Sequence, residues 1–313
     1  MIPVINLTGE NAKPGTSSWV SAREKVKAAM EEHGYFLAIH DQFSSEASAA
    51  VTEALKEVFD LPLEVKKRNV SDNPFYGYRG QKPSMPLYES LGVFDASLAR
   101  DIEPIRSFTN LMWPSGNQSF CEIMNYFVKK LSDVDRMVSR MIYESYGLEK
   151  YYDRDWNVES VAYLFRMMIY RVPGSGDDQY SNVGCLPHSD KTLLTVIHQN
   201  EVNGYQVKTK AGEWITVDFP PSSLLITAGD SLSGWSNGRI YAPVHQVIMR
   251  EKEARYTLGT FSFHKGTIQI PKELVDDEHP LLYKPFNVEG LLEYYGTEEG
   301  QQAPDLLKAY CGV

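Results

Sequence analysis

From about residue 157 the chain is cut into short runs of β-branched and aromatic residues separated by Gly, Pro and Asn. The runs cover 162–172, 192–198, 204–208, 213–217, 223–228, 243–249 and 256–263. Many short strands with turn signals between them bury a core as a sandwich, a jelly roll or a barrel. The first half has a different texture. Residues 2–7 read as a short strand, and Ser17-Ser18 can cap a helix to Glu32, with Val20, Val26, Ala29 and Met30 at helical spacing. Gly34 breaks that helix before a buried strand at 35–39. A second helix fits 45–59, residues 71–93 read as a long Pro-, Gly- and Tyr-rich loop, and a long amphipathic helix spans about 118–146. Further helices fit 287–295 and 303–310. The change of texture predicts a mostly helical region over 1–150 and a β-rich region over 151–313, an α+β chain.

Within the β-rich half stands a spaced set of polar residues: His188-Ser189-Asp190, then 54 residues, His245, then nine residues, Arg255 and Thr257. His188 and Asp190 are two apart, so on extended backbone they point the same way. Two imidazoles and a carboxylate make the facial triad that suits Fe(II) and leaves coordination positions open. An arginine fork followed by a hydroxyl is suited to an organic carboxylate. The HxD pair alone decides little, because seven histidines and seventeen aspartates would give about 0.4 such pairs by chance. The whole string is far more specific. His33, His40, His198 and His279 read as structural.

The chain resembles the plant-type Fe(II)/2-oxoglutarate-dependent dioxygenases nearly end to end. Besides the polar string, Gly229-Asp230 before Trp235-Ser236-Asn237-Gly238-Arg239 is similar to that family's G-D…N-G-R stretch. Gly34-Tyr35-Phe36, Leu61-Pro62 with Glu64 and Lys66, and the Pro3-Val4-Ile5-Asn6-Leu7 opening resemble its N-terminal region. The resemblance implies a double-stranded β-helix (jelly-roll) core with flanking helices. It implies that His188, Asp190 and His245 bind iron and that Arg255 and Thr257 bind the C5 carboxylate of 2-oxoglutarate. Tyr170 would contact the same cosubstrate. O₂ is the second cosubstrate, and ascorbate a reductant. Two positions depart from the family pattern: Thr257 replaces a serine, and Met168 replaces an asparagine. The stretches 108–114 and 274–282 resemble a specialised-metabolism branch that includes deoxypodophyllotoxin synthase, glucosinolate side-chain oxygenases, limonoid furan synthases and auxin oxidases. That branch performs hydroxylation, oxidative ring closure and side-chain removal, and the outcomes open to this chain are hydroxylation, ring closure, desaturation and demethylation of a small molecule. Tyr76, Tyr78, Phe165, Phe261 and Phe263 are candidate substrate walls, while Trp235 reads as core.

Composition narrows the partners. A formal charge of -10 argues against nucleic acid and anionic membranes. No basic, apolar leader opens the chain, and no window approaches ~18 apolar residues. Three scattered cysteines form no CxxC pair, which fits a reducing compartment, with the cytosol and a monomer as default expectations. Two rivals remain: a serine hydrolase, because Gly234-Trp235-Ser236-Asn237-Gly238 matches G-x-S-x-G, and a receptor on the same fold that has lost turnover. The hydrolase would need a helix after the serine, and the sequence continues into a strand.

Overall fold

The computed structural model describes residues 2–73, 75–157, 159–174 and 181–313. Helix α1 (Ser17–Glu32) starts where the Thr16 hydroxyl accepts the Trp19 amide, and it buries Trp19, Val26, Ala29 and Met30. Val20 lies on its exposed side. Gly34 ends the turn at φ 76°, and a Cβ there would stand 2.1 Å from the Tyr241 carbonyl oxygen. Backbone conformation and space therefore both demand glycine. Helices α2 (Ser45–Phe59), α3 (Leu63–Lys66), α4 (Glu103–Met112), α5 (Gln118–Ser145) and α6 (Glu149–Asp155) complete the first half. In α5, Phe120, Met124, Phe127, Leu131 and Val134 recur at helical spacing and are fully buried.

The strands are β1 (Val4–Asn6), β2 (Tyr35–Ile39), β3 (Arg79–Lys82), β4 (Met85–Asp95), β5 (Val161–Tyr170) and β6 (Val183–His188). They continue with β7 (Leu194–Gln199), β8 (Tyr205–Lys208), β9 (Trp214–Thr216), β10 (Ser223–Ala228), β11 (His245–Ile248) and β12 (Arg255–His264). Among the described residues, a large sheet runs β1-β2-β10-β7-β12-β5-β4-β3, and a smaller one runs β6-β11-β8-β9. Pairing is antiparallel throughout both except for β1 with β2. The expected loop at 71–93 is thus partly strand: β3 and β4 form a hairpin that extends the large sheet. Because β1 to β4 join that sheet, the boundary near residue 150 divides composition rather than sheet membership.

Strand parity sorts the core. On β5, Tyr163, Phe165, Met167 and Ile169 join the large core under the helices; the strand packs on α2, and Tyr163 reaches Asp135 of α5. Leu164, Arg166, Met168 and Tyr170 face the other way, into a cavity between the sheets. The remaining helices are α7 (Asp230–Trp235), α8 (Val288–Gly296), α9 (Glu298–Gln302) and α10 (Leu306–Cys311). No described helix is long and apolar enough to cross a membrane.

Candidate active site

His188 ends β6 and His245 begins β11, and the two are direct register partners. Their ring centroids stand 4.4 Å apart, and Tyr205 of β8 stacks on His245 at 5.2 Å. His188 Nδ1 lies 2.8 Å from the Leu186 carbonyl, and His245 Nδ1 lies 3.2 Å from that of Pro243. A carbonyl only accepts, so each Nδ1 carries the proton and each Nε2 presents a lone pair. Asp190 Oδ1 lies 3.7 Å from Nε2 of His188 and 3.8 Å from that of His245. Its Oδ2 accepts the Thr195 hydroxyl at 2.7 Å. Burial pushes the Asp190 carboxyl up, but the two histidines, Thr195 and Lys191 outweigh it and hold the group below its ordinary range. The three donor atoms lie within 4.8 Å of one another, so one cation can be shared. Neutral imidazoles and a carboxylate fit a ferrous ion.

A built loop holds this set. Lys191 donates to the Ser189 carbonyl, the Ser189 hydroxyl and Asp230 Oδ2 at 2.8, 2.9 and 2.7 Å. The Asp230 amide donates to the Asp190 carbonyl at 2.7 Å. Gly229 packs against Thr192 so closely that a Cβ would stand 2.3 Å from its carbonyl oxygen.

Arg255 begins β12 opposite Tyr170 and is 1% exposed. Its Nε and Nη2 both donate to Gln199 Oε1, at 2.9 and 2.7 Å, and its guanidinium lies 5.1 Å above the Tyr170 ring. No described acid pairs with it. Two residues on, the buried Thr257 hydroxyl has no hydrogen-bond partner. A buried cation and an orphan hydroxyl on one strand face are what the far carboxylate of a small diacid would satisfy. They share a cavity of about 280 Å³ with His188, Asp190, His245 and Tyr170.

A model of the 2OG-Fe(II) oxygenase superfamily matches residues 163–264. One described as the non-haem dioxygenase in morphine synthesis N-terminal region matches 2–87. Arabidopsis thaliana AOP1.2, named a probable 2-oxoglutarate-dependent dioxygenase, is 41% identical over 99% of this chain and 95% of its own. The chain belongs to the 2OG-Fe(II) oxygenase superfamily. The A. thaliana 2-oxoglutarate-dependent dioxygenase AOP3 is 32% identical over all of this chain and 97% of its own. A rice dioxygenase for auxin oxidation superposes with a TM-score of 0.82 at 27% identity, covering 99% of this chain and all of that one. The sheet pair described above is therefore the jelly roll of a 2-oxoglutarate-dependent dioxygenase.

The oxygenase's apolar walls differ in part from the sequence expectation. Tyr76, Phe261 and Phe263 line the cavity, the last two on the same face of β12 as Arg255 and Thr257. Tyr76 stacks on Phe94 at 4.2 Å and meets Phe263 edge-on at 5.7 Å. Phe165 is not a wall: its parity is opposite to that of Tyr170, so it enters the core beneath the helices. Nor is Tyr78. Its hydroxyl donates to Glu89, whose carboxylate also pairs with Lys66 at 2.7 Å and Arg171 at 2.6 Å. Met168 lies in the cavity where the family carries asparagine, and the Tyr170 hydroxyl turns to its sulfur at 3.6 Å.

Gln199, Lys191, Tyr205, Tyr88 and Arg166 belong to the site's surroundings and were not singled out from sequence. Only Arg166 carried a signal, its even spacing from Tyr170. Trp235 is core, stacked on Tyr143 at 4.4 Å. Ser236 is fully buried; it donates to the Ser233 carbonyl and accepts the Ile240 amide, and α7 precedes it rather than follows. It is no nucleophile elbow.

Proposed function

We propose that this oxygenase oxidises a C–H bond of a small specialised metabolite at iron held by His188, Asp190 and His245. 2-Oxoglutarate is anchored through its far carboxylate by Arg255 and Thr257, with Tyr170 beside it. The observation that carries the reading is the meeting, in one cavity, of three converging donors with a buried arginine and an unpartnered hydroxyl. Ferrous ion bound there supplies the redox chemistry that couples conversion of 2-oxoglutarate and O₂ into succinate and CO₂ to oxidation of the substrate.

The protein's part is orientation and exclusion of water. The Leu186 and Pro243 carbonyls hold the imidazole tautomers, Thr195 fixes the Asp190 carboxylate, and Gln199 aims the Arg255 fork. Tyr76, Phe261 and Phe263 offer an apolar wall to the substrate. A single chain supplies the whole donor set, and we take a monomer as the working unit. On the family resemblance we assign ascorbate the part of restoring ferrous ion between turnovers. The full donor set supports catalysis over a receptor role.

Fe(II) and 2-oxoglutarate added anaerobically are expected to give a weak visible charge-transfer band. His188→Ala and Asp190→Ala are expected to abolish both the band and succinate release. Full succinate release by either variant would overturn the assignment of those donors.

A further inference from the structure

Among the described residues, four lysines and arginines are buried: Lys66, Arg166, Lys191 and Arg255. Lys66 pairs with Glu89, and Lys191 pairs with Asp230, each at 2.7 Å. Arg255 has no described acid, and the oxygenase reading gives it the cosubstrate carboxylate. Arg166 has no described acid either. It is 5% exposed, donates to the Ser90 hydroxyl at 2.7 Å and to the Phe75 carbonyl, and makes no ion pair. Neutral acceptors do not replace a counter-charge, so a guanidinium buried this way is poorly compensated until an anion arrives.

Its position separates it from the cosubstrate anchor. Register places Arg166 opposite Gly259 on β12, four residues along β5 from Tyr170, the partner of Arg255. At strand rise that is roughly 13 Å between backbones, and the two forks are held apart, Arg255 by Gln199 and Arg166 by Ser90 and the Phe75 carbonyl. Among the described lining residues, Arg79, Arg166 and Arg255 have no paired acid, Lys191 is neutralised by Asp230, and Asp190 is the one acid, within a chain of net charge -10. Arg79 has no described ion pair and rests over the Phe75 ring at 5.3 Å. Tyr76, Phe261 and Phe263 line the same space. Local positive charge in an acidic protein selects anions.

We propose that Arg166, assisted by Arg79, is an anion-recognition subsite, and that the substrate is an amphiphilic acid. An apolar or aromatic body lies against the Tyr76–Phe263 wall, and a carboxylate or sulfate meets the guanidinium. This proposal rests on the oxygenase reading of the same cavity. A purely structural role for Arg166, tying the Phe75 carbonyl to β5, would confer no preference between charged and neutral ligands.

The test titrates the anaerobic Fe(II)–2-oxoglutarate enzyme with 3-phenylpropionate, 3-phenylpropyl sulfate and 3-phenylpropanamide, and with decanoate against decanamide, by calorimetry. At least one anion is expected to bind about ten-fold or more tightly than its amide, as a charge-assisted pair requires. Whether carboxylate or sulfate shows the larger preference identifies the group. Arg166→Gln is expected to cut the preference to below about three-fold, Arg166→Lys to keep part of it, and Arg79→Gln to lose less, all with unchanged 2-oxoglutarate affinity. If Arg166→Gln does not fold, Arg79→Gln and the wild-type salt dependence decide, the preference falling between about 50 mM and about 500 mM salt. No anion binding better than its amide, or a preference that survives Arg166→Gln, overturns the proposal. An absent 2-oxoglutarate band would strike the oxygenase reading instead, so the two failures are distinguishable.

Discussion

Arg255 is held in place ahead of the carboxylate that we propose it binds. Its fork is aimed by Gln199 and stacked on Tyr170, and a lysine would keep the charge but lose both. Arg255→Lys is expected to raise the 2-oxoglutarate Kd by about ten- to a hundred-fold, the range of a lost charge-assisted hydrogen bond, with substrate affinity unchanged. Equal losses for both ligands would move Arg255 off the cosubstrate. The donors of this site were legible because metal and carboxylate chemistry restrict residue type and spacing together. Phe165 was misread for lack of parity: with Tyr170 placed in the cavity, an odd-numbered residue five positions earlier on the same strand must face away. Arg166 obeyed that parity and went unread, because a lone arginine in a strand carries no motif.

Helix α5 and the large sheet enclose two buried titratable groups of opposite effect. Asp135 accepts from Tyr163 at 3.1 Å and Trp156 at 3.2 Å on one oxygen, while the other has no partner. Burial pushes its carboxyl up to about 7 from an ordinary 3.8. The folded state therefore holds the proton longer than the unfolded chain, and this stabilisation is full below pH 3.8 and lost as pH rises through 7. His198 on β7 lies between Phe43 and Phe127 and meets the Ser48 hydroxyl, and burial lowers it from 6.5 to about 4. Its contribution has the reverse slope, full above pH 6.5 and lost as pH falls toward 4. Asp135→Asn is expected to gain on the wild type as pH rises from 4 to 7, by several degrees in Tm. A Tm difference constant across that range would sink the assignment. At this scale α1, α2, α5 and most late strands followed from periodicity and caps. The β3–β4 hairpin did not, since Pro, Gly and Tyr at 74–80 resemble a loop until the pairing of β4 with β5 fixes the hairpin in place.

Over the whole molecule, the N-G-R stretch acts as a clasp rather than a catalytic element. Asn237, in the left-handed region at φ 55°, donates to the carbonyls of Leu274, His279 and Pro280 and accepts the Leu282 amide. It thereby pins the segment leading to α8, whose Leu292 and Tyr295 line the cavity. Asn237→Ala is expected to cost about 2–3 kcal/mol and to raise the substrate KM while sparing that of 2-oxoglutarate. Parallel changes in both constants would contradict this clasp. No local pattern foretells such a role, because Asn237 acts across 37 to 45 positions of sequence.

The cavity takes its oxygen-chemistry donors from strands in the middle of the chain, and much of its opposite lining from 75–79 and 292–295. The two tasks are thus written only partly apart, because Phe261 and Phe263 share β12 with Arg255 and Thr257, and Arg166 shares β5 with Tyr170. Substitutions confined to 75–79 and 292–295 are expected to alter the fit of the substrate more than the proposed binding of iron and cosubstrate. A mutant library aimed at new substrates therefore belongs at these margins of the chain.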